Sequence, residues 1–182
     1  MHRILSVVVV SVVLTGLLAG CALLPGARRP ASTGAPGPSS EQARSTDEAI
    51  AAIEEVTGVA ARISPANDGS TRYLAVNLEL DETYDAGVVP ERRANRDAAL
   101  LDFVLAQVWS QTEDAPERFV TLRVTGAGRD TAWVTDTLTT LGVATIPYGG
   151  DVVSLRGVDL DDRYGTWPGE VPALPDDLAG EG

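Results

Sequence analysis

Glu91-Arg92-Arg93-Ala94-Asn95-Arg96-Asp97-Ala98-Ala99-Leu100-Leu101-Asp102-Phe103-Val104-Leu105-Ala106-Gln107-Val108-Trp109-Ser110-Gln111 is the stretch on which the fold turns. Ala98, Leu101, Val104, Leu105, Val108 and Trp109 recur at the spacing of an α-helix, with Leu100 widening the stripe. Pro90 suits a first helical position, and Glu113-Asp114-Ala115-Pro116 closes the segment. The spacing predicts a long helix over 91–111. A stripe this broad needs a sheet beneath it, so the helix reads as a lid over strands.

The strands flank it. From Arg72 to Asp81 the chain alternates: Leu74, Val76, Leu78 and Leu80 face one way, Tyr73, Ala75, Asn77 and Glu79 the other. Val59 to Ser64 alternates more roughly, and Pro65-Ala66-Asn67-Asp68-Gly69-Ser70 reads as the turn between the two strands. Arg118 to Thr125 alternates again, with Val120, Leu122 and Val124 on the core side. Val152 to Leu155 is a last strand.

Two more helices complete the pattern. Ser45 and Glu48 form a capping box before a helix over 46–57, with Gly58 beyond its end. Asp130 caps a third helix carrying Trp133, Val134, Leu138 and Leu141 inward, with Gly142 after it. The order is helix, strand, strand, helix, strand, helix, strand. It predicts an α+β two-layer sandwich, with helices on one face of a small, mostly antiparallel sheet. A ferredoxin-like arrangement is one topology this order allows.

The N-terminus carries a different kind of signal. Met1-His2-Arg3 is a short charged start, and Ile4 to Leu18 is apolar and free of charge. That is the length of a signal-peptide core rather than of a membrane span. Leu18-Ala19-Gly20-Cys21 closes the run. These four residues resemble the lipobox of bacterial lipoproteins. The resemblance implies diacylglycerol attachment to Cys21, cleavage after Gly20, and residence at the extracytoplasmic face of the cell membrane. Two acyl chains at ~0.8 kcal/mol per buried methylene hold such an anchor stably.

Residues 1–20 then form the signal peptide. Residues 21–44, rich in Pro, Gly, Ser and Ala, form a disordered tether whose coil spans on the order of 25 Å. Residues 45–168 form one α+β domain. Residues 169–182 read as an acidic, mobile tail.

Composition removes many functions. All 14 basic residues are arginine, and loss of Arg3 with the leader takes the formal charge from −12 to −13. An acidic chain of this kind does not favour nucleic acid. His2, Met1 and Cys21 are the sole residues of their types. After processing, the chain has no histidine, lysine, methionine or free thiol. A His-dependent triad, a Cys/His zinc site and a P-loop lysine are thereby excluded, and no cofactor is implied. Chemistry would rest on carboxylates, hydroxyls, tyrosine, arginine or an oxygen-bound cation.

Several clusters are candidate sites, each with a plainer structural reading. Asp159, Asp161 and Asp162 lie close together in what reads as a loop. Oxygen clusters take Ca²⁺, but the spacing departs from the EF-hand, so a solvated acidic loop is the plainer reading. Arg92, Arg93 and Arg96 crowd the start of the long helix, where an anion or the nearby Asp81, Glu82 and Glu91 would offset them. Gly126-Ala127-Gly128 sits where a phosphate loop would, but lacks the third glycine and reads as a turn before a capped helix. Tyr164 and Trp167, beside Asp161 and Glu170, suit either sugar binding or stapling of the C-terminal segment. Trp109 and Trp133 read as core.

Three functions remain. The first is a non-enzymatic, lipid-anchored envelope protein that supports a protein partner. The second is a small-ligand module, for example for glycan, using the groove beside the long helix. The third is a carboxylate-based hydrolase, which needs two facing carboxyl groups about 5 to 9.5 Å apart.

Overall fold

The structure, a computed structural model, describes residues 44–126 and 128–179. Gly20, Cys21, the leader and nearly all of the tether lie outside the described residues. The elements run α1 (Thr46–Glu54), β1 (Val59–Asp68), β2 (Thr71–Leu80), α2 (Pro90–Ser110), β3 (Phe119–Gly126), α3 (Thr131–Thr140), β4 (Ile146–Gly149), β5 (Val152–Arg156) and α4 (Gly157–Tyr164). The sheet order is β1-β2-β3-β5-β4. Every pairing is antiparallel except β2 with β3, which α2 joins as a parallel crossover. This is the expected α+β sandwich. Its topology is not ferredoxin-like, because the strands joined by α2 are direct neighbours with none between them.

The alternation read in β2 sorts the two faces. Leu74, Val76, Leu78 and Leu80 are buried beneath the helices, and Val120, Leu122 and Val124 of β3 join them. The stripe of α2 lies above, with Leu100, Leu101, Val104, Leu105 and Val108 fully buried. Each such side chain contributes about 1.5–3 kcal/mol through burial. The capping box of α1 forms as expected, with Ser45 Oγ accepting from the Glu48 amide and Glu48 accepting from the Ser45 amide. Asp130 caps α3 by accepting from the Trp133 amide at 2.8 Å.

Three expectations need correction. The turn after β1 is only Gly69-Ser70, and pairing continues to Asp68 opposite Thr71. Pro65 lies inside β1 because β1 is an edge strand, where a missing N–H breaks no ladder. The edge is further blunted by Glu54, which accepts the Ala61 amide at 3.2 Å. A fifth strand, β4, pairs with β5 through a register shift between Pro147 and Gly149; it is short and exposed, so it has no hydrophobic pattern to announce it. Residues 157–164, read as loop, form α4, with Leu160 fully buried.

The C-terminal residues follow a course of their own. Residues 169–179 lie along α2. The Gly169 amide donates to the Trp109 carbonyl at 3.0 Å, Gln107 Nε2 donates to the Pro172 carbonyl at 3.4 Å, and Leu178 is buried. The groove beside α2, offered above as a ligand site, is filled by this segment. Among the described residues, no helix is long and apolar enough to cross a membrane.

Candidate functional site

Helices and the C-terminal segment cover one face of the sheet. The opposite face carries a patterned set of side chains. Strand register aligns Arg62 of β1, Asn77 of β2 and Arg123 of β3 in one row. The next row is small: Ser64, Ala75, Thr121 and Ser154. Beyond it stand three rings. Tyr73 stacks on Phe119 with centroids 4.6 Å apart, and Tyr148 of β4 lies 5.5 Å from Phe119 and 5.9 Å from Tyr73.

Small residues between a row of guanidinium groups and a wall of rings make a trough. It holds two shallow depressions of about 230 and 170 Å³, which share Asn77 and Arg123 and are open to solvent. Each is smaller than the enclosed cavity a small cofactor occupies. Two donors of the trough already hold carboxylates. Arg123 pairs with Asp151 at 2.9 Å, and the Tyr148 hydroxyl donates to Asp68 at 3.1 Å. Loss of water around the phenol, followed by the bond to Asp68, pushes the Tyr148 hydroxyl up to about 12.

A second polar cluster lies at one end of the helical layer. Asp97 of α2 is buried and fully engaged. Its Oδ1 accepts from the Tyr84 hydroxyl and from Arg129, each at 3.2 Å, and its Oδ2 accepts from Trp133 Nε1 at 3.1 Å. Arg129 also binds Asp85 with two nitrogens, at 2.5 and 2.8 Å. The hydrogen bond to Asp85 leads in holding Arg129 above its usual range, against burial. Burial, then the Asp97 charge, raises Tyr84 well above the usual phenol range. With every Asp97 oxygen taken, the cluster is built as a strut that ties the β2–α2 loop, α2 and α3 together.

The residues singled out in the sequence fall as follows. Asp159, Asp161 and Asp162 lie on α4, and Asp159 pairs with Arg156 at 2.7 Å. Asp159 and Asp162, three positions apart, share one face of the helix, and Asp161 lies on another. Among the described residues, no group of three His, Cys, Asp or Glu side chains is placed to hold a metal ion. Arg93 reaches Asp85 at 3.8 Å, not the acidic residues expected. Arg96 lies over the Tyr84 ring and donates to the Asp177 carbonyl at 3.0 Å. Gly126 and Gly128 flank a turn whose Arg129 feeds the strut. Gly126 has φ +137°, and a Cβ there would stand 2.3 Å from the Leu80 carbonyl oxygen.

Tyr164 serves as a staple, and Trp167 packs partly buried against the core. The Tyr164 hydroxyl donates to Asp102 at 2.7 Å, and Trp109 Nε1 donates to the Gly165 carbonyl at 2.7 Å. Burial, then the Asp102 bond, raises Tyr164 well above its usual range. The polar tip of Tyr164 is spent on the protein, so the sugar-gripping reading of this loop is not the one the geometry supports. Trp109 is core; Trp133 is half-buried and gives its N–H to the strut.

The trough itself escaped the sequence reading. Its parts are the outward residues of strands far apart in the chain. One of its rings belongs to β4, which carries no strand signal. No family model matches the chain, and neither a curated protein nor a solved structure is significantly similar to it.

Proposed function

We propose that this chain is a lipid-anchored envelope protein whose domain binds a protein partner, without catalysis, through the uncovered face of its sheet. The anchor rests on Leu18-Ala19-Gly20-Cys21 and the apolar run before it. The binding role rests on one observation: the row Arg62-Asn77-Arg123 beside the stacked Tyr73, Phe119 and Tyr148, on the face that helices leave open. Arginine and tyrosine are the residues that most often dominate protein interfaces, and an open trough suits a surface better than a small enclosed substrate. The tether would hold this face within reach of other proteins at the outer side of the cell membrane.

The anchor is tested by Cys21→Ser. The parent partitions into detergent with an intact mass that includes diacylglycerol; the variant loses both properties. Equal partitioning and processing would refute the lipobox reading. The binding role is tested by photo-crosslinking in cells that make the protein. A crosslinker at Thr125 on the sheet face is compared with one at Asp136 on α3. A reproducible protein neighbour from the sheet-face position alone is expected. No reproducible neighbour, or the same neighbour from both positions, overturns it.

A further inference from the structure

We infer that the trough recognises a carboxylate-bearing segment of a protein, with the carboxylate clamped between Arg62 and Arg123 and an apolar side chain laid against the rings. The inference rests on the sheet-face reading above and gives it a ligand chemistry.

Four observations carry it. First, Arg62 and Arg123 flank Asn77 in register, so the two Cα atoms are two inter-strand spacings apart, about 10 Å. Arginine side chains of that reach converge on one anion above Asn77, whose amide adds a donor. Second, Arg62 is exposed and holds no ion-pair partner among the described residues. Third, two donors of the trough hold protein carboxylates: Asp151 on Arg123 and Asp68 on Tyr148. Asp151 follows the two positive-φ glycines Gly149 and Gly150, in the connection between β4 and β5, and remains more than half exposed. It marks what Arg123 accepts, and an incoming carboxylate displaces it.

Fourth, exposed carboxylates are frequent on the helical layer: Asp47, Glu48, Asp136, Asp161 and Asp162 are exposed on the helices, away from the trough. Glu79 is the strand carboxylate beside the arginine row on this face, one row beyond it. Arg92, Arg93 and Arg163 are exposed on helices as well; what sets the trough apart is that Arg62 and Arg123 stand in one row beside a floor of small residues. A peptide running along the strands places alternate side chains about 7 Å apart, which is the distance from the arginine row to the next outward row. An acidic residue over the clamp sets the apolar residue two positions later over the small-residue floor, where its side chain leans on the ring wall one row further.

The probe is a blocked pentapeptide of serines with glutamate second and leucine fourth. Its twin carries glutamine in place of glutamate. Both are titrated into the full chain in detergent micelles and followed by amide chemical shifts. The glutamate peptide binds about tenfold more tightly than its twin, from charge-assisted bonds to two guanidinium groups. Arg62→Ala and Arg123→Ala each weaken it about three- to tenfold. Asp151→Asn tightens it about two- to fivefold, because an exposed competing ion pair is removed. All three positions are exposed, so the fold tolerates the changes, and unchanged shifts in α2 verify this for each variant.

Equal affinity for the two peptides overturns the inference. So does an Asp151→Asn variant that binds the acidic peptide no better. Tighter binding of trigalacturonate than of the peptide replaces the protein ligand with an acidic glycan and also overturns it. A reproducible crosslinked neighbour together with no acid preference leaves the sheet face as the interface and removes only the carboxylate clamp. Acid preference with no crosslinked neighbour removes the partner reading instead.

Discussion

Arg129, in the turn between β3 and α3, lies 3.2 Å from Asp97 of α2, and both side chains are only 7% exposed. A buried ion pair is weak evidence of net stabilisation, but breaking one is costly, because the survivor is left charged and unpaired. Arg129→Met strands Asp97 and loosens Asp85. It lowers the unfolding free energy by about 3–5 kcal/mol. The double variant Asp97→Asn with Arg129→Met recovers part of that loss. Urea unfolding of the three proteins measures it. A single-variant loss under 1 kcal/mol would show that the strut carries little.

Asp85 sets an acid limit. Its hydrogen bond to Arg129, ahead of the opposing burial, holds its carboxyl below the usual range. The unfolded value is about 3.9, so the unfolded chain takes the proton first as pH falls. The stability from this group is complete above the unfolded value and is lost as pH drops through the folded one. Asp85→Asn is less stable at pH 7 and loses less between pH 5 and pH 3. Denaturant midpoints across that range check the slope; identical slopes would contradict the assignment.

Tyr84 and Tyr164 set an alkaline limit. Both are raised above the ordinary phenol value, chiefly by burial. The unfolded chain ionises near pH 10, while the folded chain keeps these protons. Their contribution is therefore full below about pH 10 and is lost as pH rises further. Phenolate absorbance during an alkaline titration, compared with Tyr84→Phe and Tyr164→Phe, shows these two side chains ionising only with the loss of helical circular dichroism. Ionisation of Tyr84 and Tyr164 before unfolding would rule this out.

Leu178 reports on the C-terminal segment. It is 2% exposed and packed in the core. Leu178→Ala costs about 2–5 kcal/mol if the segment unfolds with the domain. A truly mobile tail would give no change. Proteolysis of the parent checks the same point, with cleavage after Arg163 expected only on global unfolding.

Gly126 is required by both its backbone angle and its neighbour. A methyl group would meet the Leu80 carbonyl at 2.3 Å while φ stays at +137°. Gly126→Ala costs about 1–3 kcal/mol, because β3 must shift to admit it. Gly128 has positive φ but open space around it, so Gly128→Ala costs less. Thermal melts of the two variants rank them; equal losses would remove the contact with Leu80 as the cause.

Local pattern determined the architecture. The α2 stripe, the alternation of β2 and β3, and the caps at Ser45 and Asp130 each announce an element from neighbouring residues alone. These signals are local, since periods of 3.6 and 2 are set by backbone geometry. They suffice for an α+β sandwich with helices on one face. The Leu18-Ala19-Gly20-Cys21 motif is also local and carries the expectation of an anchor.

Tertiary structure decided the rest. β4 has four exposed residues and no apolar pattern; it is a strand because β5 offers it an edge. Residues 157–164 have the composition of a loop but form a helix whose Leu160 fills space left by β5 and α2. The tail reads as acidic in sequence, yet Leu178 is buried in the core and Leu174 packs against it. Arg62, Asn77 and Arg123 lie 15 and 46 positions apart, and strand register alone sets them in one row. A binding face made from outward residues of separate strands has no sequence period of its own. It exists only after the sheet has chosen its order.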